Sequence, residues 1–125
     1  MAALGTLMAF IPTRDGDAAR VFYEKKVGLR FISEDQFAVI FQSGANTIRI
    51  TRTGSFTPAP FTILGWESSD IEQDVRDMTA RGITFERYNY MGPQDELGIW
   101  TAPSGARIAW FKDPDGNTLS IGQLI

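Results

Sequence analysis

The sequence FKDPDGNTLSI, residues 111–121, predicts a strand, a tight turn and a second strand. Pro114 fixes its own φ at a value that suits a turn, and Gly116 can adopt a positive φ at little cost. Apolar and polar residues alternate from Thr118 to Ile121, which is typical of a strand with one buried face. The stretch therefore predicts a β-hairpin at the end of the chain.

An internal repeat of part of this stretch indicates a duplicated module. Residues 46–50 read NTIRI and residues 117–121 read NTLSI, which agree at four of five positions if Ile and Leu are equated. Arg49 and Ser120 occupy equivalent positions. The repeat predicts that two copies of one supersecondary unit follow each other along the chain.

The first half predicts the order β-α-β-β-β. Asp15 is a suitable N-cap for a helix that Gly28 ends. The mostly apolar run before it predicts a buried strand that Pro12 ends. The predicted strands of this half are 4–12, 29–32, 37–41 and 46–52.

The second half repeats that order after a linker at 54–60, which contains Gly54, Pro58 and Pro60. Ser69 is the predicted N-cap of its helix, with Glu72 completing a capping box, and Gly82 ends that helix. The predicted strands are 61–67, 83–90, 107–112 and the final strand, with an extension of the sheet at 99–102.

Composition excludes several kinds of chemistry. The chain of 125 residues has a formal net charge of −3 and contains neither Cys nor His. It can therefore form no disulfide, Ser-His-Asp triad or histidine metal site, and its mild acidity disfavours nucleic-acid binding. The first residues predict a strand instead of a signal peptide, and no apolar run is long enough for a membrane span. These features favour a cytoplasmic protein.

The final hairpin, together with DGDAARVFYEKKVGLRF at residues 15–31, resembles the vicinal-oxygen-chelate superfamily. That superfamily includes glyoxalase I, extradiol dioxygenases and bleomycin-resistance proteins. The resemblance covers nearly the whole chain and implies a single α+β domain, residues 1–125. Its two tandem β-α-β-β-β modules, 1–53 and 61–125, would form a curved mixed sheet around one cavity, with the helices on the outer face. The resemblance also implies a homodimer.

The metal site that the resemblance implies is not matched by the residues of this chain. Family members take one ligand from the first and one from the last strand of each module, commonly His or carboxylates. The corresponding positions are Met8, Arg49, Ile63 and Ser120. A thioether, a guanidinium, an alkyl group and a neutral hydroxyl cannot together hold a divalent cation. We therefore expect no metal and no other cofactor.

Strand alternation predicts which side chains face the cavity. If Ile48 and Ile50 face the helices, Thr47 and Arg49 point the other way. Arg49 has two interpretations: it reaches solvent or pairs with a protein carboxylate, or its guanidinium binds a carboxylate or phosphate of a ligand. The predicted ligand-binding residues are Met8, Phe10, Thr47, Arg49, Phe61, Ile63, Tyr90, Trp100 and Ser120.

Three functions remain open from the sequence. The first is a metal-independent protein of the bleomycin-resistance type that binds a small organic ligand, an anionic one included, in the cavity of the sheet. The second is an enzyme, either a lyase or isomerase like glyoxalase or an oxygenase. The third is an interaction module with a vestigial cavity. No spacing of carboxylates identifies an acid–base pair, so no catalytic residue is predicted.

Overall fold

The computed structural model describes residues 3–88 and 90–125 and contains two compact units. The first unit ends at Thr57 and the second begins at Pro58, within the predicted linker. They are called the first module and the second module below. None of the helices in the described residues is long and apolar enough to cross a membrane.

The first module is a four-stranded mixed sheet with one helical segment. The strand order is β1-β4-β3-β2, with β1 parallel to β4 and the other neighbours antiparallel. The elements are β1 Met8–Thr13, α1 Gly16–Val21 with a π-helical continuation Phe22–Val27, β2 Arg30–Glu34, β3 Ala38–Ser43 and β4 Asn46–Arg52.

The second module has the same topology. Its strand order is β5-β8-β7-β6, and β5 is parallel to β8. The elements are β5 Thr62–Glu67, α2 Ile71–Ala80, β6 Trp100–Thr101, β7 Arg107–Lys112 and β8 Thr118–Gln123. The α+β class and the repeated β-α-β-β-β order are therefore confirmed.

Local sequence signals explain where the helices begin and end. The Asp15 carboxylate accepts a hydrogen bond from the amide of Ala18 at 3.1 Å, as expected of an N-cap. Gly28 ends the helical segment with a φ of 92°, a conformation that glycine adopts without strain. The predicted N-cap of α2 was wrong by one residue: Asp70, not Ser69, caps the helix by accepting from the amide of Gln73 at 3.2 Å.

Alternation along the central strands is also confirmed. Ile48 and Ile50 are buried on the same face of β4, as the sequence predicted. Pro12, however, does not end β1, which continues to Thr13. β1 is an edge strand, where a residue without an amide hydrogen costs the sheet little.

The predicted strand 83–90 is wrong for the residues that the structure describes; residue 89 lies outside them. Only Phe85 forms a β-bridge there, opposite Phe111. The Gln94 side chain occupies the backbone groups that a neighbouring strand would use. It accepts from the amide of Tyr88 at 2.6 Å and donates to the carbonyl oxygens of Glu86 and Gly98 at 3.0 and 2.8 Å. The strand next to β7 is consequently the short β6.

The β7–β8 turn is held by a buried carboxylate. One oxygen of Asp113 accepts hydrogen bonds from the amides of Asp115 and Asn117 at 3.0 and 2.9 Å, and the other accepts from the Asn117 side chain at 2.9 Å. Gly116 has a φ of 89°, as the turn requires. The aspartate therefore replaces water for three donors inside the protein.

Substitution of Asp113 by Ala should lower the free energy of unfolding by roughly 2–4 kcal/mol, because buried amide donors then lose their acceptor. Urea denaturation followed by circular dichroism measures this change.

Asp35 provides a matched control in the first module. Its carboxylate accepts in the same way from the amides of Phe37 and Ala38, but this turn is exposed. Asp35→Ala should cost clearly less than Asp113→Ala, since water can replace the carboxylate. If the two variants lose the same free energy of unfolding, burial does not explain the contribution of Asp113.

Candidate functional site

Four of the predicted ligand-binding residues share one face of the first module's sheet. The parallel register places Met8 beside Thr47 and Phe10 beside Arg49. Met8 and Phe10 are 58% and 62% exposed, whereas Ile11, which points to the other face, is buried. The face therefore carries large apolar side chains next to one guanidinium.

Arg49 is half-buried, and its side chain forms no hydrogen bond or ion pair with any other residue in the described part of the chain. Its neighbours across the sheet are Phe10 and Ile40. The positive charge of Arg49 acts electrostatically on the carboxylate of Asp35. Hydrogen bonds from the amides of Phe37 and Ala38 lower the pKa of Asp35 most, and the positive charge of Arg49 adds to this effect. Arg49 can therefore accept an anionic partner.

The second module contains a cleft of about 580 Å³. It is called the aromatic cleft here. The residues that line it are Pro58, Ala59, Pro60, Phe61, Thr62, Tyr88, Tyr90, Met91, Trp110, Lys112, Gly116 and Thr118.

Aromatic rings form the walls of the aromatic cleft. The rings of Tyr88 and Trp110 are 5.7 Å apart at 73°, and those of Tyr88 and Tyr90 are 5.7 Å apart at 46°. The Trp110 indole donates a hydrogen bond to the hydroxyl of Thr62 at 3.1 Å, which fixes its orientation. Burial raises the pKa of Tyr88, so its phenol remains protonated at neutral pH. Such walls suit flat organic molecules.

The sheet register determines which strand residues reach the aromatic cleft. Lys112 pairs with Thr118, and Thr118 pairs with Thr62 on the other side. These three residues thus lie side by side on three neighbouring strands. Trp110 lies two residues before Lys112 on the same strand and face.

The remaining predicted residues of the second module fall into two groups. Phe61 and Tyr90 line the aromatic cleft, as residues of a ligand site would. Trp100, Ser120 and Ile63 are not among the lining residues. Trp100 instead supports Trp110 at 5.9 Å and donates to the carbonyl oxygen of Met91 at 3.0 Å.

Sequence reasoning missed Trp110 and Lys112. The signal was present, because Ile108, Trp110 and Lys112 alternate with Ala109 and Phe111 along β7. The alternation shows that two faces exist, but a long aromatic residue can belong to either of them. Only the pairing with β8 identifies the face that Trp110 shares with Ser120.

The positions to which the family resemblance assigns metal ligands carry no carboxylate or imidazole. In the sheet register Phe10 lies beside Arg49 and Gly65 lies beside Ser120. The expected first-strand positions, Met8 and Ile63, are therefore not the direct neighbours of Arg49 and Ser120. The register of β5 and β8 shifts between Thr62 and Leu64, so Ile63 has no partner in the register with β8. No group of three or more Asp and Glu residues able to hold a metal occurs in residues 3–88 and 90–125.

Two successive β-α-β-β-β modules, one of which contains a cleft, are the features by which this α+β protein can be compared with known proteins. The profile of the Glyoxalase/Bleomycin resistance protein/Dioxygenase superfamily matches residues 4–121. The chain therefore belongs to this superfamily. A search of curated proteins found no significant sequence match.

Solved structures with the same fold are similar over almost the entire chain. A bleomycin resistance determinant encoded on the transposon Tn5 is 22% identical, with 96% of this chain and 98% of that chain covered and a TM-score of 0.75. An antibiotic binding protein from a Streptomyces species is 20% identical, with coverages of 100% and 99% and a TM-score of 0.75. Lactoylglutathione lyase from Agrobacterium tumefaciens is 18% identical, with coverages of 98% and 95% and a TM-score of 0.74. At these identities the likeness shows a shared fold.

Arg49→Met should leave the free energy of unfolding unchanged or raise it slightly, because the substitution removes a half-buried charge that makes no direct contact with a described acid. Thermal and urea denaturation of the wild type and the variant measure this effect.

Arg52 on the same strand is the matched control. It donates to the Glu34 carboxylate and to the carbonyl oxygen of Asp35, both at 3.0 Å. Arg52→Met should therefore cost about 1 kcal/mol, the scale of a partly exposed ion pair with a hydrogen bond. A loss at Arg49 equal to that at Arg52 would mean that a protein group already pairs with Arg49.

Proposed function

We propose that this protein binds a small organic molecule in the aromatic cleft and does so without a metal ion. The observation that carries the proposal is the cleft of about 580 Å³ with four aromatic side chains in its lining. Ligand pockets of roughly 300–1,000 Å³ that are mostly apolar, with a few polar groups, are typical of small-molecule sites. The aromatic cleft has both the size and the composition of such a site.

The arrangement of the rings favours a ligand with a flat aromatic part. Tyr88 and Trp110 are nearly perpendicular, so a planar molecule can stack on one ring and meet the edge of the other. Trp110 is held from both sides, by its hydrogen bond to Thr62 and by contact with Trp100. A ring that is fixed before binding loses little conformational entropy when the ligand arrives.

The names of two similar structures support the same class of function. One is a bleomycin resistance determinant and another is an antibiotic binding protein. The fold can therefore serve binding as well as catalysis, and the side chains of the site must decide between them. In this chain those side chains are aromatic rings and hydroxyls.

The metal-independent part of the proposal rests on donor chemistry. The family resemblance places its metal ligands at Met8, Arg49, Ile63 and Ser120. The residues beside Arg49 and Ser120 in the neighbouring strands are Phe10 and Gly65. None of them offers a carboxylate or an imidazole, and a guanidinium repels a cation. A metal-dependent lyase or oxygenase would need ligands that these positions lack.

Two expectations from the sequence accompany this proposal. Arg49 in the first module is proposed as a separate contact for an anionic group, because it lacks a direct protein partner among the described residues. The homodimer implied by the family resemblance also remains a prediction, which light scattering at several protein concentrations tests.

Trp110→Leu should weaken the binding of naphthalene carboxamide, a neutral planar probe, by about ten-fold, because a stacking surface of the aromatic cleft is lost. Isothermal titration calorimetry measures the affinity without relying on tryptophan fluorescence.

Trp66→Leu is the control for this experiment. Trp66 belongs to the same sheet but stacks on Phe111, which faces the core, at 6.4 Å and 17°. This variant should lose stability and retain the affinity for naphthalene carboxamide. If Trp110→Leu binds the probe as the wild type does, or if the wild type binds none, the aromatic cleft is not the ligand site.

The purified protein should contain no stoichiometric metal, and added zinc or manganese should not raise its melting temperature, because the family's ligand positions lack suitable donors. Elemental analysis and thermal denaturation with and without a chelator measure both quantities. About one equivalent of metal, removable by the chelator with loss of stability, would favour the metal-dependent enzyme instead.

A further inference from the structure

The aromatic cleft contains a single charged side chain. Of the described residues that line it, Lys112 alone carries a charge, although the whole chain has a formal net charge of −3. The charge among the lining side chains is therefore opposite in sign to the net charge of the protein. A ligand with a negative group would be favoured there over a neutral or positive one.

The ammonium group of Lys112 is available to a ligand. Its nearest acid is Glu86, and the distance of 3.8 Å between Nζ and Oε1 is too long for a hydrogen bond. The two side chains are 48% and 31% exposed, so their mutual attraction is weak. Lys112 makes no hydrogen bond through its side chain with any other described residue. Three ammonium hydrogens thus remain for an incoming acceptor.

Hydroxyl donors accompany this charge. Thr118 lies beside Lys112 in the sheet register, and Thr62 lies beside Thr118. The Thr62 oxygen accepts from the indole of Trp110, so its own hydrogen points elsewhere. The Thr118 hydroxyl makes no hydrogen bond within the part of the chain that the structure describes. The Lys112 ammonium and the two threonine hydroxyls therefore offer hydrogen-bond donors at this end of the aromatic cleft.

We propose that the aromatic cleft selects planar aromatic anions, such as aryl carboxylates or phenolates, and that the ammonium group of Lys112 binds their negatively charged group. The ring of the ligand packs against Trp110 and Tyr88, and its anionic edge meets Lys112 and the two threonine hydroxyls. This inference rests on the proposed function, because it names the ligand class of the same cleft.

The test compares three naphthalene derivatives of similar shape and different charge: the carboxylate, the neutral carboxamide and the methylammonium. Calorimetry on the wild-type protein at low salt should give the tightest binding for the carboxylate, by about five-fold over the carboxamide, and the weakest for the methylammonium. Added salt should reduce these differences, because it screens a partly exposed charge.

Substitutions of Lys112 and Glu86 then test whether Lys112 causes the preference for the carboxylate. Lys112→Met should abolish the difference between carboxylate and carboxamide, and Lys112→Arg should retain the difference. Glu86→Gln should strengthen carboxylate binding, because it removes the acid that competes for Lys112. Lys25→Met is the control, since it removes the same charge from an exposed position in the first module.

The outcomes separate this inference from the proposed function. If the carboxamide and carboxylate bind the wild type equally, or if Lys112→Met keeps the preference, the charge selection is wrong while binding in the aromatic cleft stands. If no derivative binds and Trp110→Leu changes nothing, the proposed function fails together with the inference. Loss of the preference in Lys25→Met would also overturn the role of Lys112.

Discussion

The parallel pairing of the first and last strand is the constraint on which each module depends. Parallel neighbours cannot be joined by a tight turn, so the chain between β1 and β4 must supply a crossover, which contains the helical segment and the two remaining strands. The last strand becomes central as a result and is bonded on both sides. In the second module this position lets β8 place Thr118 between Lys112 and Thr62.

Much of the fold could be predicted because it follows from local chemistry. Asp15 and Gly28 bound the first helical segment through hydrogen bonding and a positive φ that act within a few residues. The predicted strand at 83–90 failed for a reason that lies outside its own sequence. The Gln94 side chain, several residues further on, bonds the backbone groups of Glu86 and Tyr88 and prevents a regular ladder. Pattern analysis does not detect such a side-chain competitor.

Part of the geometry of the candidate site could be predicted from the sequence. Alternation correctly separated Ile48 from Arg49, because one face of β4 had to be buried. The neighbours of these residues across the parallel strands were harder to predict from the sequence. A register shift near Ile63 changes which residues of β5 and β8 lie side by side. The aromatic cleft also required the path of the irregular segment that carries Tyr88 and Tyr90. That path depends on contacts distant in sequence, so Trp110 could not be assigned to the aromatic cleft from its own strand.

The close approach of Gly65 and Ser120 couples the side chains that these two positions can hold. A Cβ atom at residue 65 would lie 2.5 Å from the Ser120 hydroxyl and 3.4 Å from the Ser120 carbonyl oxygen. A side chain can therefore enter at residue 65 only if the side chain at residue 120 turns away or becomes smaller. The two positions are epistatic, and neither can gain a new functional group independently of the other.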